Sequence, residues 1–443
     1  MRKTKQILFI LLLAIGDISY SAQDSSYVRV GYPTIVDSIK ITGNDITEPF
    51  VILEELTFSI GDTVDQNILD YNKERLYSLR IFTFVDLLFN ENNGKNIVNI
   101  IVKESWYIYP WIFAHLYHSD FKYATYGFYL RWKNFRGRNE SLRITVAFGY
   151  DPYYKIDYVN PYLIKDESIY FTLHSTYVHF QNKSKKLKSL YGEDVNYKIF
   201  NNSVSLGKRF DKYNYLSTVT GFSYIELEDS TMSGATASGD RIDCYPFVTI
   251  GYIYDSRDLA QYPQNGIYAQ AAISHSGFGI NSINYNSFQV DVRNYWNFYD
   301  DFVARARTTI RHTFGQSIPY YAFSYLGYDE IVRGHCKDVR EGNNYLLGTI
   351  EISYPLLDEW NFSVNLPLIP ERITSTRIGL NIYLFADTGL TFMNNQNIKF
   401  KNLYSGWGIG INILFLPYSG IKFEYAFNEH RDGELIIGTN YSF

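Results

Sequence analysis

The chain is written in two grammars of apolar spacing. From about Trp106 to Phe443 apolar residues recur at every second position. Ile421, Phe423, Tyr425 and Phe427 alternate with Lys422 and Glu424. Leu435, Ile437, Thr439, Tyr441 and Phe443 share one face, and Asn440 and Ser442 take the other. Leu142, Ile144, Val146, Phe148 and Tyr150 repeat the pattern, as do Phe288, Val290 and Val292. Residues two apart on an extended strand lie on one sheet face, so the pattern predicts strands. About sixteen such segments fill this region, with roughly twenty-one residues per strand and connection. No separate domain is expected inside it.

Residues 33–104 read differently, as β-α-α-β-β. Ile39 and Ile41 alternate with polar residues up to a Gly43-Asn44 turn signal. Thr47 is placed to cap a helix running to about Phe58, and Gly61-Asp62 breaks it. Thr63 and Gln66 stand at capping-box spacing before a second helix carrying Ile68, Leu69, Leu76 and Leu79. Two strands follow, about Thr83 to Phe89 and Asn96 to Lys103, joined by Asn92-Asn93-Gly94. Two amphipathic helices over one face of a three-stranded sheet make a small α+β domain, complete but minimal.

Composition decides where the apolar strand faces point. The 42 tyrosines and 31 phenylalanines exceed the needs of an ordinary soluble domain, and membrane barrels use such residues in aromatic belts. Mean hydropathy is −0.20, which argues against a helical membrane protein. Arg2, Lys3 and Lys5 precede the apolar run Ile7 to Ile15 and the small, polar stretch Gly16 to Ala22. That order reads as a secretory signal over residues 1–22, too short to span a bilayer as a helix. A sheet exported to a membrane must close, because an unpaired edge in lipid costs several kcal/mol per group. The expected architecture is therefore a transmembrane antiparallel β-barrel over residues 105–443. Polar faces carrying Arg305, Arg307, Arg311, Asp291 and Arg293 then belong to a water-filled interior. A net charge of −5 gives no nucleic-acid signature. Cys244 and Cys336, two in all, exclude a disulfide framework.

Several short segments resemble the Omp85 superfamily, the bacterial surface antigen D15 or BamA/TamA family. Residues 33–104 look like one POTRA domain: the Gly43-Asn44 turn, the Gly61-Asp62 break, Leu79 before Ile81-Phe82, and the closing Val102-Lys103-Glu104. Ile331-Val332-Arg333-Gly334 resembles the family's Arg-Gly motif in a long extracellular loop. Phe385-Ala386-Asp387-Thr388-Gly389 resembles its Phe-x-Asp-x-Gly strand motif. Tyr252 to Asp258 with Pro263 to Tyr268 is similar to its Asp-x-Arg-Asp and Pro-x-x-Gly segment. Phe443, with Tyr441, is similar to the C-terminal signal of outer-membrane barrels. One departure is His335, where the family usually has an aromatic that packs inside the barrel.

The resemblance implies that the loop folds back into the lumen and that its arginine meets an acidic wall residue. Strand parity supplies the candidates: Asp387 faces inward when Ile378, Leu380, Ile382 and Leu384 face out, and the same test turns Glu351 inward. By resemblance Arg333 pairs with Asp387, with Glu351 as second choice. A guanidinium–carboxylate fork is geometrically selective, although Arg333 also reads as a solvated loop arginine. The barrel seam is the other candidate. Pro110 on the first strand cannot donate a ladder hydrogen bond, and Gly438 weakens the last strand. Both also fit bland roles, Pro110 at a strand end and Gly438 as a packing accommodation.

Other chemistry is thin. No nucleotide loop, serine elbow or zinc-protease motif is present, and His115 and His118 face opposite sides of a strand. Lys183 to Lys188 reads as a solvated basic loop, and Ser230 to Gly239 as a flexible one. Neither an enzyme nor a cofactor is expected. The resemblance implies an outer-membrane assembly factor whose periplasmic POTRA domain docks client polypeptide and whose seam assists its insertion. The alternatives are a polypeptide secretion translocon of the two-partner type and a passive pore. The implied partners are outer-membrane lipids, unfolded outer-membrane or secreted clients, and periplasmic or lipoprotein accessory subunits.

Overall fold

The computed structural model describes residues 33–116, 121–182, 184–192, 195–363, 370–396, 398–399 and 402–438. The expected signal segment 1–22, His118, Lys183, Tyr441 and Phe443 lie outside these residues.

The N-terminal module has β1 (Ser38–Thr42), α1 (Pro49–Leu53), α2 (Gln66–Ser78), β2 (Phe82–Asn92) and β3 (Lys95–Glu104). The sheet order is β1-β3-β2, with β1 parallel to β3 and β2 antiparallel to it. Asn93 and Gly94 take positive φ, 52° and 70°, as a two-residue hairpin turn requires. Both expected caps differ. Thr47 donates its hydroxyl to Glu104 Oε1 at 2.6 Å rather than capping α1, which ends at Leu53. Thr63-Val64 pairs with Thr34-Ile35 as a short strand, and Asp65 caps α2 by accepting from Ile68 N at 2.8 Å. A capping side chain is always in competition with longer-range partners, and here Glu104 wins Thr47 from across the module.

Sixteen strands follow in one sheet, each paired antiparallel with its neighbour in sequence. They are β4 (Ile108–Leu116), β5 (Ala124–Phe135), β6 (Glu140–Gly149), β7 (Tyr153–Ile164), β8 (Ile169–Gln181) and β9 (Asn196–Arg209). Next come β10 (Asn214–Leu227), β11 (Ile242–Asp255), β12 (Gly266–Ser276), β13 (Asn284–Tyr299) and β14 (Phe302–Ser317). The last are β15 (Asn344–Phe362), β16 (Thr376–Phe392), β17 (Tyr404–Leu416), β18 (Ser419–Asn428) and β19 (Gly433–Gly438). The outward row Ile250, Ile273 and Phe288 runs in register across β11, β12 and β13, each at least 40% exposed. An apolar outer face over a polar, charged inner face is the pattern of a lipid-embedded barrel. The sheet curls so that Tyr109 on β4 packs edge-on to Tyr418 in the β17–β18 turn, ring centroids 6.1 Å apart. Among the described residues no ladder joins β4 to β19.

Ser230–Ala235 forms a 3-10 turn rather than the flexible loop its composition suggests. Met232 and Ala235 are buried in a cluster with Leu187, Tyr197, Ile225 and Tyr245. The helix α3 (Lys185–Tyr191) supplies Leu187 to that cluster, so the basic stretch has an apolar anchor.

The module covers one end of the barrel. Its core is continuous with rim residues Tyr162, Leu259, Tyr262, Leu414 and Leu416 in one buried cluster. Polar contacts reach around the rim. Glu48 N donates to Gly137 O at 2.9 Å in the β5–β6 turn. Arg209 and Arg75 both hold Glu55, at 2.7 and 2.8 Å. Gln261 Nε2 donates to Tyr77 O at 2.9 Å from the β11–β12 turn. Arg377 on β16 pairs with Glu74 at 2.8 Å. These anchors sit on separate parts of the rim, so the module lies across the mouth rather than hanging from one linker.

Candidate functional site

The long connection between β14 and β15 turns inward and carries Arg333 into the lumen, where its side chain is 10% exposed. Two glycines make the seat. A Cβ at Gly406 on β17 would stand 1.7 Å from Arg333 O, and one at Gly389 on β16 would stand 2.7 Å from Val332 Cγ2. Only residues without a side chain allow such close backbone approach. Gly334 adopts φ 94°, which lets the loop turn sharply after Arg333.

Every nitrogen of the guanidinium donates a hydrogen bond. Nε and Nη2 donate to the two oxygens of Asp387, each at 2.7 Å, and the Arg333 backbone N–H donates to Asp387 Oδ2 at 3.0 Å. Nη1 donates to Glu351 Oε1 at 2.8 Å and to Glu424 Oε1 at 2.7 Å. The cation lies 3.7 Å from the ring centroid of Phe385, a stacked arrangement favoured for arginine. Thus Phe385, Asp387 and Gly389 all face the loop from β16, and Glu351 joins them from β15. Glu424 on β18 is a third carboxylate that the motifs do not mark. Its parity, between outward Phe423 and Tyr425, is the one sequence signal that it points inward.

Each carboxylate around Arg333 meets a cation. Arg305 lies 3.9 Å from Glu351, and Lys422 lies 3.5 Å from Glu424. Three cations, Arg333, Arg305 and Lys422, face three carboxylates, which is what a confined low-dielectric space demands. Arg305 is fully buried, stacked 3.8 Å over Tyr262 of the β11–β12 turn. The Asp-x-Arg-Asp segment of that turn is also ordered. Arg257 forks onto Asp255 at 2.7 Å, and Asp258 accepts from the backbone N–H groups of Leu259, Gln264 and Asn265. A cavity of about 480 Å³ separates this turn from α2, lined by Tyr71, Glu74, Tyr77, Asp258, Tyr262 and Arg377 among others.

His335 fills the place where an aromatic is usual. Its ring stacks on Tyr404, with centroids 4.0 Å apart and planes inclined 18°, and Nε2 lies 2.6 Å from Glu429 Oε2. Imidazole keeps the flat packing and adds a polar anchor. At the two ends of the sheet order, Pro110 is the third residue of β4, in register with Leu130 of β5. Gly438 pairs with Lys422, and a Cβ there would meet the lysine stem at 2.9 Å, so the glycine makes room for that side chain. Cys244 and Cys336 are both free. Among the described residues no group of three or more His, Cys, Asp or Glu is placed to hold a metal ion.

A family model described as the Omp85 superfamily domain matches residues 134–436. The chain belongs to the Omp85 superfamily. No curated protein matches it in sequence. Among solved structures, BamA from Haemophilus ducreyi lacking POTRA domains 1–3 is similar at 16% identity and a TM-score of 0.54, over 91% of this chain and 84% of that one. CdiB from Escherichia coli is similar at 11% identity and a TM-score of 0.55, over 91% and 75%. CdiB from Acinetobacter baumannii is similar at 15% and 0.51, over 92% and 73%. At these identities the likeness is one of fold. Omp85 barrels are bacterial outer-membrane proteins, and membership supports insertion or translocation in general without deciding between them.

Proposed function

We propose that this Omp85 protein is an outer-membrane insertion factor. In this reading residues 33–104 are a POTRA domain in the periplasm that docks client polypeptide, and residues 105–443 are the barrel whose seam assists insertion. One observation carries it. The lumen is occupied at two levels, by the module across its mouth and by the Arg333 loop inside, while β19 has a ladder on one side only among the described residues. A filled lumen disfavours passage along the axis. A strand paired on one side only, as β19 is among the described residues, suits strand addition by an extended client. Arg333, with Asp387, Glu351, Phe385 and Gly389, holds the loop in place in this reading. Pro110 and Gly438 mark the two strands of the seam. Lipids surround the barrel, and lipoprotein or periplasmic subunits would bind the exposed module.

The test is reconstitution of the full chain in liposomes with a urea-unfolded outer-membrane barrel as client. Folding faster than in empty liposomes is expected, and the gain should disappear in Arg333→Ala and in a chain lacking residues 33–104. Equal rates with and without the protein, combined with passage of an extended polypeptide into the vesicle, would replace insertion with the secretion translocon.

A further inference from the structure

The tip of the luminal loop does not stop at the acidic wall. Beyond Arg333 it reaches the last strand. Gly334 N donates to Glu434 Oε1 at 2.7 Å, and Cys336 N donates to the same oxygen at 3.1 Å. The positive φ of Gly334 turns the two amides, one on each side of His335, toward a single anion, a small backbone nest. Glu434 is the second residue of β19, and it points inward while Leu435 and Ile437 are 57% and 63% exposed on the outside. A second link runs beside the first. Ile436, the next inward residue, packs on Tyr383, Phe385 and Ala426, and Phe385 carries the Arg333 cation on its ring.

What else holds β19 is limited. Its described residues make six register pairs with β18, Phe427↔Gly433 to Lys422↔Gly438. On its other side no ladder is present among the described residues. A strand with one ladder frays, and side-chain anchors then carry a larger share of its hold. The loop anchor is charge-assisted, which makes it stronger than a neutral hydrogen bond.

We infer that Glu434 is a positioning residue that ties the luminal loop to the terminal strand, so that seating of the loop fixes β19 and withdrawal of the loop frees it. Arg333 holds the loop to the wall formed by β15, β16 and β18. Glu434 passes that hold on to the strand that borders the seam. The inference deepens the insertion reading by giving the seam a release: a client that displaces the loop also loosens the strand it must pair with. The physical link itself does not depend on that reading.

Hydrogen exchange on the full chain in nanodiscs, with no client present, tests the link apart from the function. Glu434→Ala should speed exchange in both 332–338 and 433–438 by roughly tenfold or more, the worth of a charge-assisted hydrogen bond. Exchange in β14 should not change. Glu434→Gln keeps an acceptor oxygen for the two amides and should restore most of the protection. Arg333→Ala, at a residue whose hydrogen bonds go to Asp387, Glu351 and Glu424 and not to β19, should also speed 433–438. If Arg333→Ala leaves 433–438 at the wild-type rate, or Glu434→Ala frees the strand without the loop, the link is overturned. If Glu434→Ala does not fold, as read by heat-modifiable gel mobility, the Gln and Arg333 variants carry the same decision.

Discussion

Arg333→Ala is the sharpest perturbation of the chamber. It deletes five side-chain hydrogen-bonding and stacking relations at once: two to Asp387, one each to Glu351 and Glu424, and the stack on Phe385. It leaves three carboxylates facing two cations. Glu351 keeps Arg305 at 3.9 Å and Glu424 keeps Lys422 at 3.5 Å. Asp387, 5% exposed, keeps no cation within ion-pair distance among the described residues. Breaking a buried pair from one side costs about 3–5 kcal/mol, because the remaining charge is left unpaired. Water entering the vacated space lowers this, so the lower end applies. About 3 kcal/mol corresponds to roughly a hundredfold loss of loop protection. The assay is hydrogen exchange of the 326–342 peptide, with heat-modifiable mobility to show that the barrel still folds. The orphaned carboxylate also fixes the sign of a second substitution. Asp387→Asn should reduce loop protection in the wild-type chain, where it removes the fork. In the Arg333→Ala background it should raise stability, because it removes an orphaned charge. If Asp387→Asn is destabilising in both backgrounds, charge balance is not what organises the chamber.

Two further predictions follow from single positions. Gly406→Ala places a methyl group against the Arg333 backbone carbonyl, which no rotamer change relieves, so the loop should be displaced at a cost of about 1–3 kcal/mol. Gly348→Ala, whose nearest neighbour would be Thr388 Cγ2 at 3.5 Å, should be tolerated, and trypsin cleavage at Arg333 and Arg340 separates the two outcomes. Asp258, in the β11–β12 turn, has its carboxyl pushed up to about 6 by burial, with Glu74 adding to the rise and three backbone amides opposing it. Its folded pKa is above its unfolded value, so its contribution is full below about pH 4 and is lost as pH rises through about 6. The loss is at most about 3 kcal/mol. Asp258→Asn should flatten the thermal midpoint between pH 4 and 7, and an unchanged pH profile in that variant would refute the assignment.

The alternation along residues 106–443 determined the strands, their number and their faces, because a strand exposes successive side chains to opposite sides whatever surrounds it. That rule alone turned Asp387 and Glu351 inward. The glycines at 389 and 334 were legible as motif residues, though not as the space the loop occupies. Parity gives the side of the wall and not the height on it. Height depends on register and on closure of the sheet, and these bring Glu424 to Arg333 across 91 residues of sequence. The same limit hid Glu434, an ordinary polar position until β19 is set beside the loop tip. It also misled the local capping rules, because Thr47 meets Glu104, 57 residues away, and Thr63 enters a strand pair. Which end of the barrel the module covers, and how its core merges with the rim at Tyr162, Leu259 and Leu414, was decided by tertiary packing alone. Burial of apolar surface has no direction in sequence, so only the assembled shape says which two surfaces meet.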